Sequence, residues 1–382
     1  MKLLLVTDTF PPDVNGVART LHTLAGALRV RGHEVLVVTT LAADDGEESQ
    51  GIRKVVNSMP LLGYPGLRMG WATPGEMRRV ITGFGADVLY VATETPLGWA
   101  SIRAANQLGR PVVSGFHTNF QSYLENYRLP GLERFAQWIL CALHNRTKRT
   151  LTPSEDTAEA LRSWGMENVG VLGRGVDTEL FSPAKRDETL RSAWGAGPTD
   201  PVALYVGRLA AEKNLPLAAE AFRAMKARVP GLVGVFVGSG PRGKCLASEY
   251  PEFVFAGARV GDELARYYAS ADLFVFPSTT ETFGNVVLEA MASGLGVVAF
   301  DYAAPRLLIR EGENGWLVPF ADEVAFVEKA VGEVALAMDA KIRRAARAAA
   351  LEHSWERVVD QFENELKATL ELPTPPTLGL AG

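Results

Sequence analysis

The feature that most constrains this chain is a rhythm: short, wholly apolar runs alternate with stretches whose apolar residues recur at helical spacing. Leu3-Leu4-Leu5-Val6 is the first run, of the kind buried on both faces in a parallel sheet. Val17, Leu21, Leu24 and Leu28 then mark one face of a helix, and Gly32 stops it before Val35-Leu36-Val37-Val38. The alternation continues through Val88-Leu89-Tyr90-Val91 and Pro111-Val112-Val113-Ser114. Parallel strands need long crossovers, which helices supply, so the pattern predicts an α/β fold with a doubly wound parallel sheet. The rhythm restarts at Val202-Ala203-Leu204-Tyr205-Val206. A helix over residues 215–227 and strands at 232–237, 253–255, 273–276 and 297–300 follow. Two Rossmann-like halves are expected, meeting near residue 183, between Arg174-Gly175-Val176-Asp177 and Ser182-Pro183-Ala184. The length of 382 residues suits two domains of roughly 150 each.

Composition then removes whole classes of function. With 47% apolar and 22% charged residues the chain reads as folded and globular. A formal charge of −5 argues against a nucleic-acid coat, and no nucleic-acid partner is expected. The acidic excess falls entirely after residue 183. Cys141 and Cys245 are too few for a disulfide framework or a cysteine zinc site. The apolar start is too short for a signal peptide, and no run approaches the roughly 18 apolar residues of a membrane span. A cytoplasmic enzyme is expected, with association at the inner membrane face left open. Residues from Pro373-Thr374-Pro375-Pro376 onward read as a tail.

Two motifs invite over-reading. Gly238-Ser239-Gly240-Pro241-Arg242-Gly243-Lys244 fits G-x-G-x-x-G and nearly fits a phosphate-binding loop. Cys245 stands where that loop needs Ser or Thr for Mg²⁺. Pro241 removes a backbone donor, and no acidic residue ends the following strand. A plain glycine turn is the better reading. Asn145-Arg146-Thr147 is a glycosylation sequon by pattern only.

Three features carry chemistry. A turn-rich loop ends at Gly16 just before a helix, where backbone N–H groups and the helix N-terminus favour an anion. Val206-Gly207-Arg208 through Lys213 puts two cations in the loop directly after a strand, where open α/β sheets bind ligands. Arg and Lys there suit a diphosphate, by fork and by point charge. In the third, Glu281 lies in a loop and Glu289 inside the helix that begins near Phe283-Gly284-Asn285. Glu289 is embedded among Val286, Val287, Leu288, Ala290 and Met291, so its carboxylate needs a partner, and a ribose diol would serve.

At these residues the chain resembles the retaining glycosyltransferases of family 4, which have the GT-B fold. The resemblance rests on E-x7-E (Glu281 and Glu289), R-x4-K (Arg208 and Lys213) and the Gly16 loop, and spans Met1 to about Leu372. Thr93-Glu94-Thr95-Pro96-Leu97-Gly98, Phe116-His117-Thr118-Asn119-Phe120 and Arg174-Gly175-Val176-Asp177-Thr178-Glu179-Leu180-Phe181 are similar to the bacterial GDP-mannose-dependent α-mannosyltransferases. The resemblance implies two Rossmann-like domains facing a central cleft: an acceptor-side domain over 1–183 and a donor-binding domain over 184–354. A helix over 355–372 would cross back to the first domain, and 373–382 would be the tail. Arg208 and Lys213 would hold the donor diphosphate, with Gly207 beside them and Gly16 approaching from the first domain. The N–H groups of Phe283, Gly284 and Asn285 would meet sugar hydroxyls or the distal phosphate. Glu281 would contact the sugar, Glu289 the ribose, and His117 the acceptor side of the donor sugar. The base would sit near residues 257–260, with Arg259 selecting it and Val260 beside it. One departure stands out: the usual G-D/E-G-P turn reads Gly238-Ser239-Gly240-Pro241.

The expected reaction moves a hexose from a nucleotide diphosphate sugar to a lipid or glycan hydroxyl, with GDP-mannose the favoured donor and UDP-glucose next. No D-x-D occurs, so no metal and no cofactor are expected; Arg208, Lys213 and the helix N-terminus supply the countercharge. Residues 127–140 mix basic, aromatic and aliphatic side chains and run on to Arg146-Thr147-Lys148-Arg149. Such a helix can lie on an anionic membrane or serve as a core helix with a basic end. Other readings are a UDP-sugar-dependent glucosyltransferase of this fold, a nucleotide-sugar isomerase on this scaffold, and a non-catalytic nucleotide-sugar-binding module.

Overall fold

The computed structural model describes residues 1–13, 15–41, 52–60, 68–117, 132–281, 283–336 and 338–371. Val14, Thr282, residues 118–120 of the Phe116–Phe120 motif, residues 127–131 of the amphipathic stretch, and 373–382 lie outside that description. The chain forms two compact units, Met1–Gly173 with the segment from Val358 onward, and Arg174–Arg357. The division precedes residue 183 because Val176 and Phe181 are buried in the core of the second unit.

The first unit holds β1 (Lys2–Val6), β2 (Glu34–Thr39), β3 (Arg53–Val55), β4 (Ser58–Pro60), β5 (Arg68–Gly70), β6 (Val88–Val91), β7 (Val112–Gly115), β8 (Arg149–Thr152) and β9 (Val169–Val171). Its seven-stranded sheet runs β3-β2-β1-β6-β7-β8-β9 with every pairing parallel, and β4 and β5 form a separate antiparallel ribbon. The second unit holds β10 (Val202–Val206), β11 (Val233–Val237), β12 (Val254–Phe255), β13 (Leu273–Phe276), β14 (Gly296–Phe300) and β15 (Gly315–Val318). Its parallel sheet runs β12-β11-β10-β13-β14-β15. Every residue of β10, β13 and β14 is buried, which is why these segments read as unbroken apolar runs rather than as alternation.

In each sheet the order reverses beside the first strand. β1 lies between β2 and β6, and β10 lies between β11 and β13. Connections leave such a point toward opposite faces, so a crevice opens beyond the carboxyl ends of the two central strands. In the first unit Asp8, just past β1, occupies that place. Its carboxylate accepts from the Thr93 hydroxyl (2.7 Å), the Thr95 hydroxyl (3.2 Å) and the Gly70 N–H (3.0 Å). Burial pushes its pKa up to about 6 despite these bonds.

The helix read as continuing to Arg149 ends earlier. It spans Leu132–His144, and Arg149 opens β8. Threonines at 147, 150 and 152 favour the extended chain there, and Thr147 and Thr150 tie to the Ser114 hydroxyl of β7.

The last helix, Trp355–Glu371, is anchored on the first unit. Glu363 accepts from Lys367 (2.5 Å) and Arg31 (2.8 Å) and pairs with His33 (3.1 Å). Hydrogen bonds from Lys367, Arg31 and His33 hold its carboxyl at about 2. Gln361 donates to the Val171 carbonyl (2.7 Å), and Phe362 meets the Tyr90 ring edge-to-face at 4.8 Å.

Candidate functional site

The reversal between β10 and β13 gathers most of the residues singled out above. The loop after β10 is shaped backbone against backbone. Gly207 N–H donates to the Val237 carbonyl (3.0 Å), Leu209 N–H to Ser239 (2.9 Å), and Arg242 N–H to Leu209 (2.9 Å). A Cβ on Gly238, whose φ is +142°, would lie 1.9 Å from the Gly207 carbonyl oxygen. One on Gly240 would lie 2.4 Å from that of Leu209. The glycine-rich turn is thus a mould for the Arg208 loop.

Lys213 ends a 3₁₀ turn over Ala211–Lys213. Its ammonium donates to Glu281 Oε1 (2.5 Å) and to the Thr280 carbonyl (3.1 Å). The Ser278 hydroxyl also donates to Glu281 Oε1 (2.8 Å), and Tyr302 Oη donates to the Glu281 carbonyl (2.9 Å). Arg208, 67% exposed, pairs with Glu212, whose carbonyl accepts from the Thr280 hydroxyl (3.0 Å). Both cations therefore already hold carboxylates, and an incoming dianion competes with Glu281 and Glu212 for them. Beneath this cluster the buried Tyr205 hydroxyl has no partner among the described residues. Burial, with the charges of Glu281 and Glu212, raises its pKa well above that of an ordinary phenol.

The helix Asn285–Ala292 starts from Gly284, whose φ of +101° is open to glycine at little cost. Val287 N–H turns back to the Gly284 carbonyl (3.0 Å), and the first-turn amides of a helix otherwise lack partners within it and favour negative charge. The Phe283 carbonyl accepts from Ala304 N–H (2.9 Å). Neighbouring Ala303 is a buried non-glycine residue at φ +53°, a strain of about 1–3 kcal/mol held by its surroundings. Glu289 is 4% exposed, and its Oε2 accepts from Tyr268 Oη (3.0 Å). The partner its apolar setting demanded is first of all this tyrosine. Arg259 pairs with Glu263 (3.1 Å) and lies over the Tyr267 ring, with Val260 exposed beside it. Gly238 N–H reaches the Gly257 carbonyl (2.9 Å), which ties that loop to the same sheet edge.

Gly16 and His117 belong to the first unit. Gly16 begins the helix Gly16–Val30 and is exposed. Asn15 caps that helix through Ala18 N–H (2.9 Å) and donates to the Thr9 hydroxyl (2.6 Å), which donates to Asp13 (3.0 Å). His117 is buried, with Tyr90 Oη 2.9 Å from its Nε2. Reading the sequence missed Asp8, Tyr90, Tyr205, Tyr268, Ser278 and Tyr302. Of these, Asp8 and Ser278, each two residues past the end of a central strand, carry a positional signal.

Among the described residues no three His, Cys, Asp or Glu side chains come together as a metal site. Among them, no helix is long and apolar enough to cross a membrane. On the helix Leu132–His144, Phe135 and Trp138 stack at 6.0 Å while 57% and 65% exposed.

The Glycosyltransferase Family 4 family model matches residues 14–180, and the Glycosyl transferases group 1 model matches 200–333. The chain is 35% identical over 381 residues to a GDP-mannose-dependent alpha-mannosyltransferase of Mycobacterium tuberculosis, covering 96% of this chain and 97% of that protein. It is 36% identical over 385 residues to one of Mycolicibacterium smegmatis, covering 97% and 98%. Among solved structures, Alr3699/HepE of Anabaena in complex with UDP superposes with a TM-score of 0.77. That likeness holds at 21% identity over 96% of this chain and all of that one.

Proposed function

The chain belongs to glycosyltransferase family 4 and is a hexosyltransferase of GT-B fold, and from that premise we propose that it transfers mannose from GDP-mannose to a lipid or glycan hydroxyl. In this reading the configuration is retained and no metal is needed. The observation that carries it is the pairing of Lys213 with Glu281 where the second sheet reverses, with Arg208 on the same loop.

The chemistry follows from charge. The bond from the anomeric carbon to the diphosphate oxygen breaks, and negative charge grows on the leaving group. Lys213, Arg208 and the amides at the start of Asn285–Ala292 stabilise that charge. As Lys213 turns to the phosphate, Glu281 is released to accept from sugar hydroxyls. Glu289, oriented by Tyr268, accepts from the ribose. Arg259 lies toward the base, Gly16 serves the donor phosphate, and His117 serves the acceptor side of the donor sugar. The acceptor hydroxyl attacks from the face the diphosphate leaves and passes its proton to a departing phosphate oxygen. One C–O bond forms as another breaks, and no protein nucleophile takes part. The names of the two mycobacterial relatives support the donor.

The test is transfer of labelled mannose from GDP-mannose to a lipid extract in excess EDTA. The expected product is α-linked, with the rate unchanged by the chelator. Strong inhibition reversed by Mn²⁺ or Mg²⁺ would defeat the metal-free mechanism. Transfer from UDP-glucose alone would defeat the donor.

The same reading places the protein on an anionic membrane through the helix Leu132–His144. Phe135 and Trp138 offer stacked aromatic faces, and Arg134 is exposed beside them. Replacing both aromatics by serine is expected to weaken binding to phosphatidylglycerol vesicles in co-sedimentation about a hundredfold, since two buried rings contribute about 3 kcal/mol. Equal sedimentation of variant and wild type would exclude this face.

A further inference from the structure

His117 is held by a partner that has no place in the reaction described above. Tyr90 lies on β6, and His117 follows the end of β7, its parallel neighbour. Tyr90 is wholly buried and His117 nearly so, and Tyr90 Oη stands 2.9 Å from His117 Nε2. Gly115 makes this possible. A Cβ there would lie 2.2 Å from Tyr90 Oη and 2.4 Å from His117 Nε2, so any larger residue would drive the pair apart. The phenol ring is also clamped edge-to-face by Phe362 of the last helix (4.8 Å).

We propose that Tyr90 is the positioning residue of His117: its hydroxyl donates to Nε2 and fixes the tautomer in which Nδ1 carries the proton. A neutral imidazole has one acceptor nitrogen and one N–H. A phenol O–H is the more acidic donor and an imidazole nitrogen the more basic acceptor, so O–H to N is the favoured direction in a buried pair. With Nε2 accepting from Tyr90, His117 cannot act as a base through that nitrogen. The hydrogen bond stands by itself, and only its catalytic consequence rests on the proposed role of His117.

The experiment is a long-range proton–nitrogen correlation spectrum of the full chain labelled with ¹⁵N-histidine. The chain has five histidines, and His117→Gln assigns the signal. Wild type is expected to show His117 with its proton on Nδ1. Tyr90→Phe is expected to show a mixture of tautomers and a kcat lowered about tenfold, with KM for GDP-mannose within about twofold. A wild-type proton on Nε2, or an unchanged tautomer in Tyr90→Phe, overturns the inference. Full turnover in His117→Ala instead overturns the catalytic role of His117, and the wild-type spectrum still decides the hydrogen bond.

Discussion

Lys213→Ala is expected to lower kcat/KM for mannose transfer about 10²- to 10³-fold, the loss found when one preorganised charge-stabilising donor is removed. Lys213 is the better placed of the two cations. Its ammonium is largely buried and directed by two acceptors after β13, whereas Arg208 is 67% exposed and turned to Glu212. Arg208→Ala should therefore cost less, because an exposed charge is screened by water and salt. Removing Lys213 also leaves Glu281 half-enclosed with the Ser278 hydroxyl and without this ammonium, so part of the loss could come from a displaced loop. Lys213→Gln, whose neutral amide can still donate to Glu281 and the Thr280 carbonyl, separates the two causes. If the missing countercharge matters, it is as slow as Lys213→Ala. If loop displacement matters, it recovers. Steady-state kinetics with GDP-mannose decides, and a Lys213→Ala loss below about tenfold would remove Lys213 from the diphosphate site.

What the sequence disclosed follows from how local each signal is. β1, β2, β6, β10, β13 and β14 were legible because strands buried on both faces must be apolar throughout. β3 and β9 were not, since three residues at or near a sheet edge carry too little pattern. Arg149 misled because basic residues at a helix end and at a strand start look alike. At the site, Lys213 and Glu281 could be named from their spacing to neighbours in the chain. The tyrosines that hold the two glutamates could not. Tyr302 and Tyr268 each lie 21 residues from the glutamate they touch, and only folding brings them there. Glu289 shows the limit well: its apolar neighbours announced a need for a partner, yet nothing local said that Tyr268 would be it.

Gly238→Ala is expected to destabilise the second unit by about 3 kcal/mol or more and to abolish nucleotide binding in what remains folded. Two costs coincide at this position. The φ of +142° lies where side chains are excluded, and the added methyl would meet the Gly207 carbonyl oxygen at 1.9 Å. The only relief is to move one backbone from the other. That breaks the bonds from Gly207 N–H to Val237 and from Leu209 N–H to Ser239, which fix the loop carrying Arg208. Ser239→Ala is the control, because the loop uses only the Ser239 carbonyl, and it should stay within about 0.5 kcal/mol of wild type. Urea unfolding and calorimetric titration with GDP measure both effects. A Gly238→Ala protein as stable as Ser239→Ala and binding GDP equally would mean the turn does not shape the loop. A glycine-rich turn after a strand is commonly read as a phosphate cradle. Here its glycines let two backbones meet, and through the bonds to Gly207 and Leu209 they fix the loop that carries Arg208.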